Sequence, residues 1–252
     1  MMINRTSTLV IALLFSGLAS ADVREEEQFT FELDSGGRFS LENVNGGITI
    51  TGGDGNEVIV IAYKKADNQK ALDGIEILID ASSDSISIDT KLPKSRGWFG
   101  GNSDGAQVTY EVSLPATSNL ESISSVNGGV EISGVFGVVE AEAVNGGVEV
   151  TDISSDASLE TVNGSINARV SSLTGDQRVQ LETVNGKINV SIPENSDVTL
   201  SAETVNGSID ADDFGIEADK GLIGRSLRGT LGDGSARLSA DTVNGGVKIR
   251  KN

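Results

Sequence analysis

The sequence predicts an all-β protein, a single-chain β-solenoid (β-helix-like), and three observations favour this fold. The phrase Val-Asn-Gly occurs seven times in 252 residues. Measured from Asn to Asn, the copies lie 82, 18, 18, 22, 21 and 38 residues apart, so the repeat is about 20 residues long. Apolar and polar residues alternate on both sides of the phrase, as in strands that bury one face. We therefore expect coils of ~18–22 residues with Val-Asn-Gly corners.

Residues 157–170 show the pattern of one unit. Leu159 and Thr161 share one face of the first strand, Glu160 lies on the other face, and Ile166 begins the second strand. Asn and Gly tolerate positive φ, so the pair is expected to turn the chain sharply. The same pair also favours a meander of antiparallel hairpins, which is the rival fold. The solenoid is preferred because the period is too short for a propeller blade and because in-register stacking explains why like residues recur at like positions.

Stacking would arrange the repeated residues in rows along the solenoid axis. The Asn residues are expected to form a structural corner ladder that shares side-chain amide hydrogen bonds. This row consists of Asn45, Asn127, Asn145, Asn163, Asn185, Asn206 and Asn244. Strict alternation places the repeated Val outside, whereas a bend at the corner would bring Val162 and its equivalents inward. Both orientations stay open at this point.

Two rows of apolar residues are expected to face the interior. One precedes the corner and consists of Leu159, Leu181, Ala202 and Ala240. The other follows the corner and consists of Val130, Val148, Ile166, Ile188, Ile209 and Val247. These rows predict a thin aliphatic core.

A further row is acidic, because a carboxylate stands three residues before six of the seven Asn residues. These are Glu42, Glu142, Glu160, Glu182, Glu203 and Asp241. Carboxylates stacked at strand spacing repel one another, so screening, neighbouring Lys or Arg, or a bound cation must relieve the row. Ca²⁺ is the one candidate cofactor, and it would raise the melting temperature where Na⁺ of equal ionic strength would not.

The first 21 residues have the pattern of a secretory signal peptide. A charged start is followed by a short apolar run, Leu9 to Phe15, and by Ala19-Ser20-Ala21, with cleavage expected after Ala21. Residues 22–252 would form one β-solenoid domain, with an N-terminal cap at 22–41, irregular coils at 42–115 and regular repeats at 116–252. The basic C-terminal strand, 247–252, is expected to be the cap at the far end. The protein would be exported to the periplasm or to the cell surface.

Composition excludes several classes of function. Cys and His are absent, which excludes a Ser-His-Asp triad, a Cys nucleophile and His-ligated zinc. The chain has 37 acidic and 19 basic residues, and removal of Arg5 with the signal peptide changes the net charge from −18 to −19. Such a charge disfavours binding to nucleic acid and to anionic lipid. No later apolar run predicts membrane insertion after signal cleavage, and the charged caps favour a monomer.

Two loops are candidate contact elements. Residues 94–105 are rich in Gly and contain Trp98 beside Phe99, a pair typical of interaction hot spots. Alternatively, this pair folds back and covers one end of the coil stack. Residues 212–235, which span the 38-residue step, form the second candidate, either as one long excursion or as a coil without the phrase followed by a loop.

The order of these features is similar to that of a known family. A signal peptide precedes strands, the step Leu114-Pro115-Ala116, a series of Asn-Gly units and a glycine-rich segment at 229–234. This order resembles the DUF4097 family of bacterial exported β-solenoid proteins, which are described as adhesins. The resemblance covers nearly the whole mature chain, and it implies a solenoid with no catalytic residues.

The favoured function is therefore an exported, non-enzymatic, adhesin-like protein that presents a rigid repeat surface to an unidentified surface, glycan or envelope protein. A periplasmic envelope scaffold is the alternative. A carbohydrate-active β-helix enzyme is less favoured, because the paired carboxylates recur in nearly every coil instead of marking one cleft. Ice binding is the last alternative and would need an exposed row of Thr161, Thr183, Thr204 and Thr242.

Overall fold

The structure, a computed structural model, describes residues 13–14, 22–93, 105–221 and 223–252. In these residues the strands form two sheets of eleven, which enclose one aliphatic and aromatic core. The strand numbers follow the chain, whereas the order within each sheet is spatial. The after-corner sheet contains β1 (Leu13–Leu14), β2 (Val23–Glu32), β5 (Glu57–Ala66), β8 (Gln107–Pro115), β4 (Ile48–Gly53), β10 (Val130–Ser133), β12 (Val148–Ile153), β14 (Ile166–Val170), β16 (Ile188–Ile192), β22 (Val247–Lys251) and β18 (Ile209–Asp210).

The before-corner sheet contains the strands that lead into the Asn-Gly corners. In spatial order these are β19 (Asp219–Lys220), β20 (Arg225–Leu231), β17 (Val198–Asn206), β21 (Ala236–Asn244), β15 (Arg178–Asn185), β13 (Ala157–Asn163), β11 (Val139–Asn145), β9 (Asn119–Asn127), β3 (Arg38–Asn45), β7 (Ser85–Lys91) and β6 (Glu76–Ala81). One α-helical turn, α1 (Gln69–Leu72), and one 3-10 turn, Asp212–Phe214, complete the described part.

Each regular coil contributes one strand to each sheet, and neighbouring coils pair in parallel. Thus β13 and β15 align Leu159 with Leu181, and Asn163 with Asn185. Parallel pairing is incompatible with a meander of hairpins joined by tight turns, so the rival fold is excluded and the β-solenoid is confirmed.

Both predicted inner rows are confirmed. Every residue of the row that precedes the corner is fully buried, and every residue of the row that follows it is at most 8% exposed. The pairing register places each member directly above the next. The alternation of the sequence was sufficient for this result, because a one-residue shift would turn the whole apolar set to solvent.

The corner glycines are needed for a different reason than expected. Among the seven that follow the corner Asn, positive φ occurs only at Gly46. At the other six, a Cβ atom would lie 1.6–2.1 Å from the carbonyl oxygen of the corner Gly in the adjacent coil, as at Gly164 above Gly146. The following position has more room, because a Cβ at Gly147 would lie 3.1 Å from its nearest neighbour. Other coils accordingly have Ser165 or Lys187 there.

The coils do not stack in the order in which they occur in the sequence. Strand β21 lies between β15 and β17, and β22 lies between β16 and β18. The prediction that residues 247–252 end the stack is therefore wrong. The 38-residue step is one long excursion: β20 runs antiparallel along the free edge of β17, and the chain then returns to add its last coil inside the stack.

An ion pair joins the last strand to the coil beyond it. The guanidinium of Arg250 on β22 binds both carboxylate oxygens of Asp210 on β18, with Nη1 2.8 Å from Oδ1. These hydrogen bonds lower the pKa of Asp210 to about 2. Arg250 of the basic C-terminal strand therefore binds a neighbouring coil within the stack.

The N-terminal region has no regular coil repeat. Strands β7 and β8 extend the two sheets in parallel beyond β3 and β4, and β2, β5 and β6 add antiparallel strands outside them. Of the segment predicted as a cap, β2 is near the sheet edge, whereas residues 38–41 belong to β3 within the sheet. The buried aromatic residues Phe29, Phe31, Phe39 and Tyr110 all lie in this region.

Candidate functional site

The structure brings the seven corner Asn residues together in one hydrogen-bonded row. In each neighbouring pair one Nδ2 donates to the next Oδ1 over 2.8–3.0 Å. The row follows the spatial order of the coils, so Asn244 stands between Asn185 and Asn206. Each interior Asn uses one donor and one acceptor along the axis, which makes the row a structural element of the corner.

The Thr residues two positions earlier point into the molecule. Thr161, Thr183, Thr204 and Thr242 are 3–5% exposed. Each hydroxyl donates to the carbonyl of a corner Gly in the next coil, over 2.8–3.1 Å. The exposed Thr row that ice binding requires is therefore not present at these positions.

The Val residues of the repeat point outward, which decides between the two orientations left open by the sequence. Each is 36–46% exposed. They are Val44, Val126, Val144, Val162, Val184, Val243 and Val205. Single exposed Val residues are ordinary on protein surfaces, but a continuous apolar row indicates a contact surface.

The carboxylates of the repeat form a second outward row, two residues before the Val row. The pairing register places Glu142, Glu160, Glu182, Asp241 and Glu203 in consecutive coils, while Ser124 separates them from Glu42. Burial, together with the neighbouring carboxylates, raises the pKa of Glu160. Burial likewise raises the pKa of Asp241. The row is therefore electrostatically strained near neutral pH.

A groove of about 770 Å³ runs between the two rows, and we call it the acidic–valine groove. Its acidic wall consists of Glu142, Glu160, Glu182, Asp241 and Glu203. Its valine wall consists of Val126, Val144, Val162, Val184, Val243 and Val205. The volume falls in the range typical of ligand pockets, but the groove is an open trough instead of a cleft.

The excursion that reverses the coil order also borders one end of this groove. Gly221, Ile223, Arg225 and Ser226 line that end. Ile223 is 83% exposed and extends the apolar surface. Arg225 is the only basic residue among the lining residues, so five carboxylates face one guanidinium. The second contact element predicted from sequence thus borders the groove, whereas Trp98 and Phe99 lie outside the described residues.

Within 22–93, 105–221 and 223–252, no three Asp or Glu side chains converge closely enough to hold a metal ion. No helix of the described chain is long and apolar enough to cross a membrane. The acidic row repeats the same pair of groups from coil to coil, as a structural or binding surface does.

Sequence reasoning did not identify the Val row as part of a site. The signal was available, because Val lies two residues after an outward Glu and an extended strand alternates its faces. The possibility of a bend at the corner weakened that inference. The contribution of the excursion to the groove could not be anticipated, because it depends on how the excursion folds back.

One solved structure agrees with this architecture over most of the chain. A candidate cell adhesion protein from Clostridium sporogenes is similar over 90% of this chain and 100% of its own, with a TM-score of 0.51 and 12% identity. A candidate adhesin from Bacteroides fragilis and a candidate lipid-binding protein from Parabacteroides distasonis align with TM-scores of 0.38 and 0.29, at 12% and 10% identity. These two alignments cover 90% of this chain and 97% and 96% of the other chains. No curated protein matches the sequence.

The family assignment comes from the repeats themselves. The profile of the Toastrack family DUF4097 matches residues 122–250, which is more than half of the chain. The match contains six of the seven Asn-Gly corners and both walls of the acidic–valine groove. This chain belongs to the DUF4097 family of Toastrack β-solenoids.

Proposed function

We propose that this protein is an exported, non-enzymatic binding protein of the adhesin type, and that the acidic–valine groove is its contact face. The observation that carries the proposal is a continuous row of six exposed Val beside five carboxylates on one rigid face. Solenoids present extended surfaces of this kind to their partners. The similarity to the Clostridium sporogenes cell adhesion candidate supports the same fold for such a task.

Location is tested by protease treatment of intact cells beside osmotic-shock fractionation, with the chain followed by antibody. Cleavage on intact cells is the result expected for an adhesin. Protection until the outer membrane is breached would contradict adhesion and support a periplasmic scaffold instead.

The contact face is tested by site-specific photo-crosslinking in living cells. A photoreactive residue replaces Val162 in the groove, and a matched one replaces the exposed Glu149 on the after-corner sheet. We expect crosslinked products from position 162 and few or none from position 149. Equal yields from both positions would show that the groove is not the contact face.

A further inference from the structure

The two walls of the groove present different chemistry to one ligand. The Glu and Val rows stand two residues apart on each strand, so their Cα atoms are roughly 7 Å apart. Between them lies the backbone of the Thr row, whose side chains point inward. Six coils line the groove, and at about 4.8 Å a coil its length is roughly 24 Å. This shape suits a narrow, linear ligand.

We propose that the acidic–valine groove binds an extended polypeptide segment in which Lys or Arg alternates with apolar residues. The inference rests on the proposed function and names the ligand class for the same groove. Side chains of an extended chain point alternately to opposite sides. A chain lying along the groove therefore directs its cations to one wall and its apolar side chains to the other. About seven residues at roughly 3.3 Å each span the groove.

Charge complementarity determines the sign of the ligand. Among the described residues, the five carboxylates of the acidic wall form no ion pair. The side chains that donate hydrogen bonds to Glu182 and Asp241 are the neutral Gln180 and Ser239. Burial first, and then repulsion from neighbouring carboxylates of the wall, raise the pKa of Glu160 and of Asp241. A row of ligand cations relieves this repulsion, whereas an acidic glycan would add to it.

The valine wall determines that the ligand is a polypeptide with apolar side chains. A polyamine or a metal ion would neutralise the carboxylates and leave the six Val residues in water. Ile223 adds a further apolar side chain at the end bordered by the excursion. Salt does not screen the free energy gained by burial of this wall, whereas it does screen the ionic contacts.

The first test compares two fluorescein-labelled octapeptides of the same composition by fluorescence anisotropy with the purified protein. One peptide alternates Lys and Val, and the other has four Lys followed by four Val. We expect the alternating peptide to bind about tenfold more tightly, because only this peptide matches both walls at once. Equal affinities would overturn the proposal, because they would show that only the charge of the peptide, and not the order of its residues, determines binding.

The second test uses matched variants. The double variant Glu160→Gln with Glu182→Gln should bind the alternating peptide about tenfold more weakly than the wild type does. Val162→Thr with Val184→Thr should bind it about threefold more weakly. The control Glu131→Gln with Glu149→Gln removes the same charge from a neighbouring pair on the opposite sheet and should change nothing. Phe136→Thr removes an exposed apolar side chain away from the groove and should also change nothing. Equal losses in the groove and control variants would overturn the proposal.

A competition assay separates the ligand class from the proposed function. Spermidine at equal total charge should displace the alternating peptide only weakly, because it cannot contact the valine wall. Full displacement by spermidine would overturn the polypeptide proposal. Groove-specific crosslinks in cells would then still support the contact face, so the two proposals fail separately.

Discussion

The N-terminal region and the regular stack fill their cores with different kinds of side chain. Up to residue 115 the core contains Phe29, Phe31, Phe39 and Tyr110, and the hydroxyl of Tyr110 lies 2.7 Å from that of Thr90. After residue 115 the aromatic residues are Phe136 and Phe214, neither of which is buried. The core there is aliphatic, and the corner backbones approach so closely that only Gly fits.

This difference indicates what each region depends on. The N-terminal region depends on the volume of a few large side chains, as an ordinary globular core does. The stack depends on the close approach of corner backbones in neighbouring coils and on rows of Asn and Thr side chains that form hydrogen bonds from coil to coil. Mutations should therefore separate the two regions by mechanism.

The largest effect is expected from loss of a large side chain in the N-terminal region. Phe39 is in register with Leu120, and Leu120 with Val139, so one row of the core tapers toward the stack. Phe39→Ala should lower the free energy of unfolding by about 4 kcal/mol, and Val139→Ala by about 2 kcal/mol, because fewer buried atoms are removed. Urea denaturation measures both. Equal losses of stability at the two positions would contradict the prediction that the stack depends less on large side chains than the N-terminal region does.

A similar effect in the stack should need only one added methyl group. Gly164→Ala places a Cβ 1.9 Å from the Gly146 carbonyl oxygen and should cost about 3 kcal/mol, since neither backbone can move without disturbing the next coil. Gly147→Ala, one position beyond a corner, should cost under about 0.5 kcal/mol. The melting temperatures of the two variants test this contrast. If both variants melt like the wild type, close backbone approach does not limit the corner.

A smaller effect is expected from the Asn row, and it should depend on position. Asn163→Ala removes two ladder hydrogen bonds and should cost about 1–2 kcal/mol. Asn206→Ala, at the end of the row, removes one and should cost about half as much. Midpoints of urea denaturation at unchanged slope provide the measurement. If Asn206→Ala cost as much stability as Asn163→Ala, the number of ladder hydrogen bonds would not determine the contribution of each Asn.

The smallest effect is a gain in stability when one charge of the acidic row is removed. Glu160→Gln removes repulsion from Glu142 and Glu182 and should stabilise the fold by about 0.5 kcal/mol at pH 7. Burial and these neighbours raise the pKa of Glu160 in the folded state, so the folded protein binds the proton more readily than the unfolded chain does. The repulsion is therefore fully present above the raised pKa and is lost as pH falls to the ordinary carboxyl range near about 4.3.

The advantage of Glu160→Gln over the wild type should accordingly shrink between pH 7 and about pH 4. Thermal melts across this range measure it. Glu121→Gln, outside the row, serves as the charge-matched control. A constant advantage at every pH would exclude relief of row repulsion as its cause.

Most of the fold could be predicted from the repeats, and part of the site could as well. Alternation around Leu159 and Ile166 was sufficient to place both inner rows, because the period of a strand leaves one choice of buried face. The outward direction of Glu160 followed from the same rule. The direction of Val162 did not, since a corner residue can leave the strand geometry on which the rule depends.

The repeats are enough to predict which residues stack, which face the core and where the corners lie. The order of the coils depends on tertiary contacts that the repeats do not encode. The seven phrases are chemically equivalent, so any coil could pair with any other, and the choice is made by β20 covering the edge of β17 and by Arg250 binding Asp210 across the last pair. The same excursion places Ile223 at one end of the groove, because β20 folds back along β17 and brings residues from outside the repeats to the two walls.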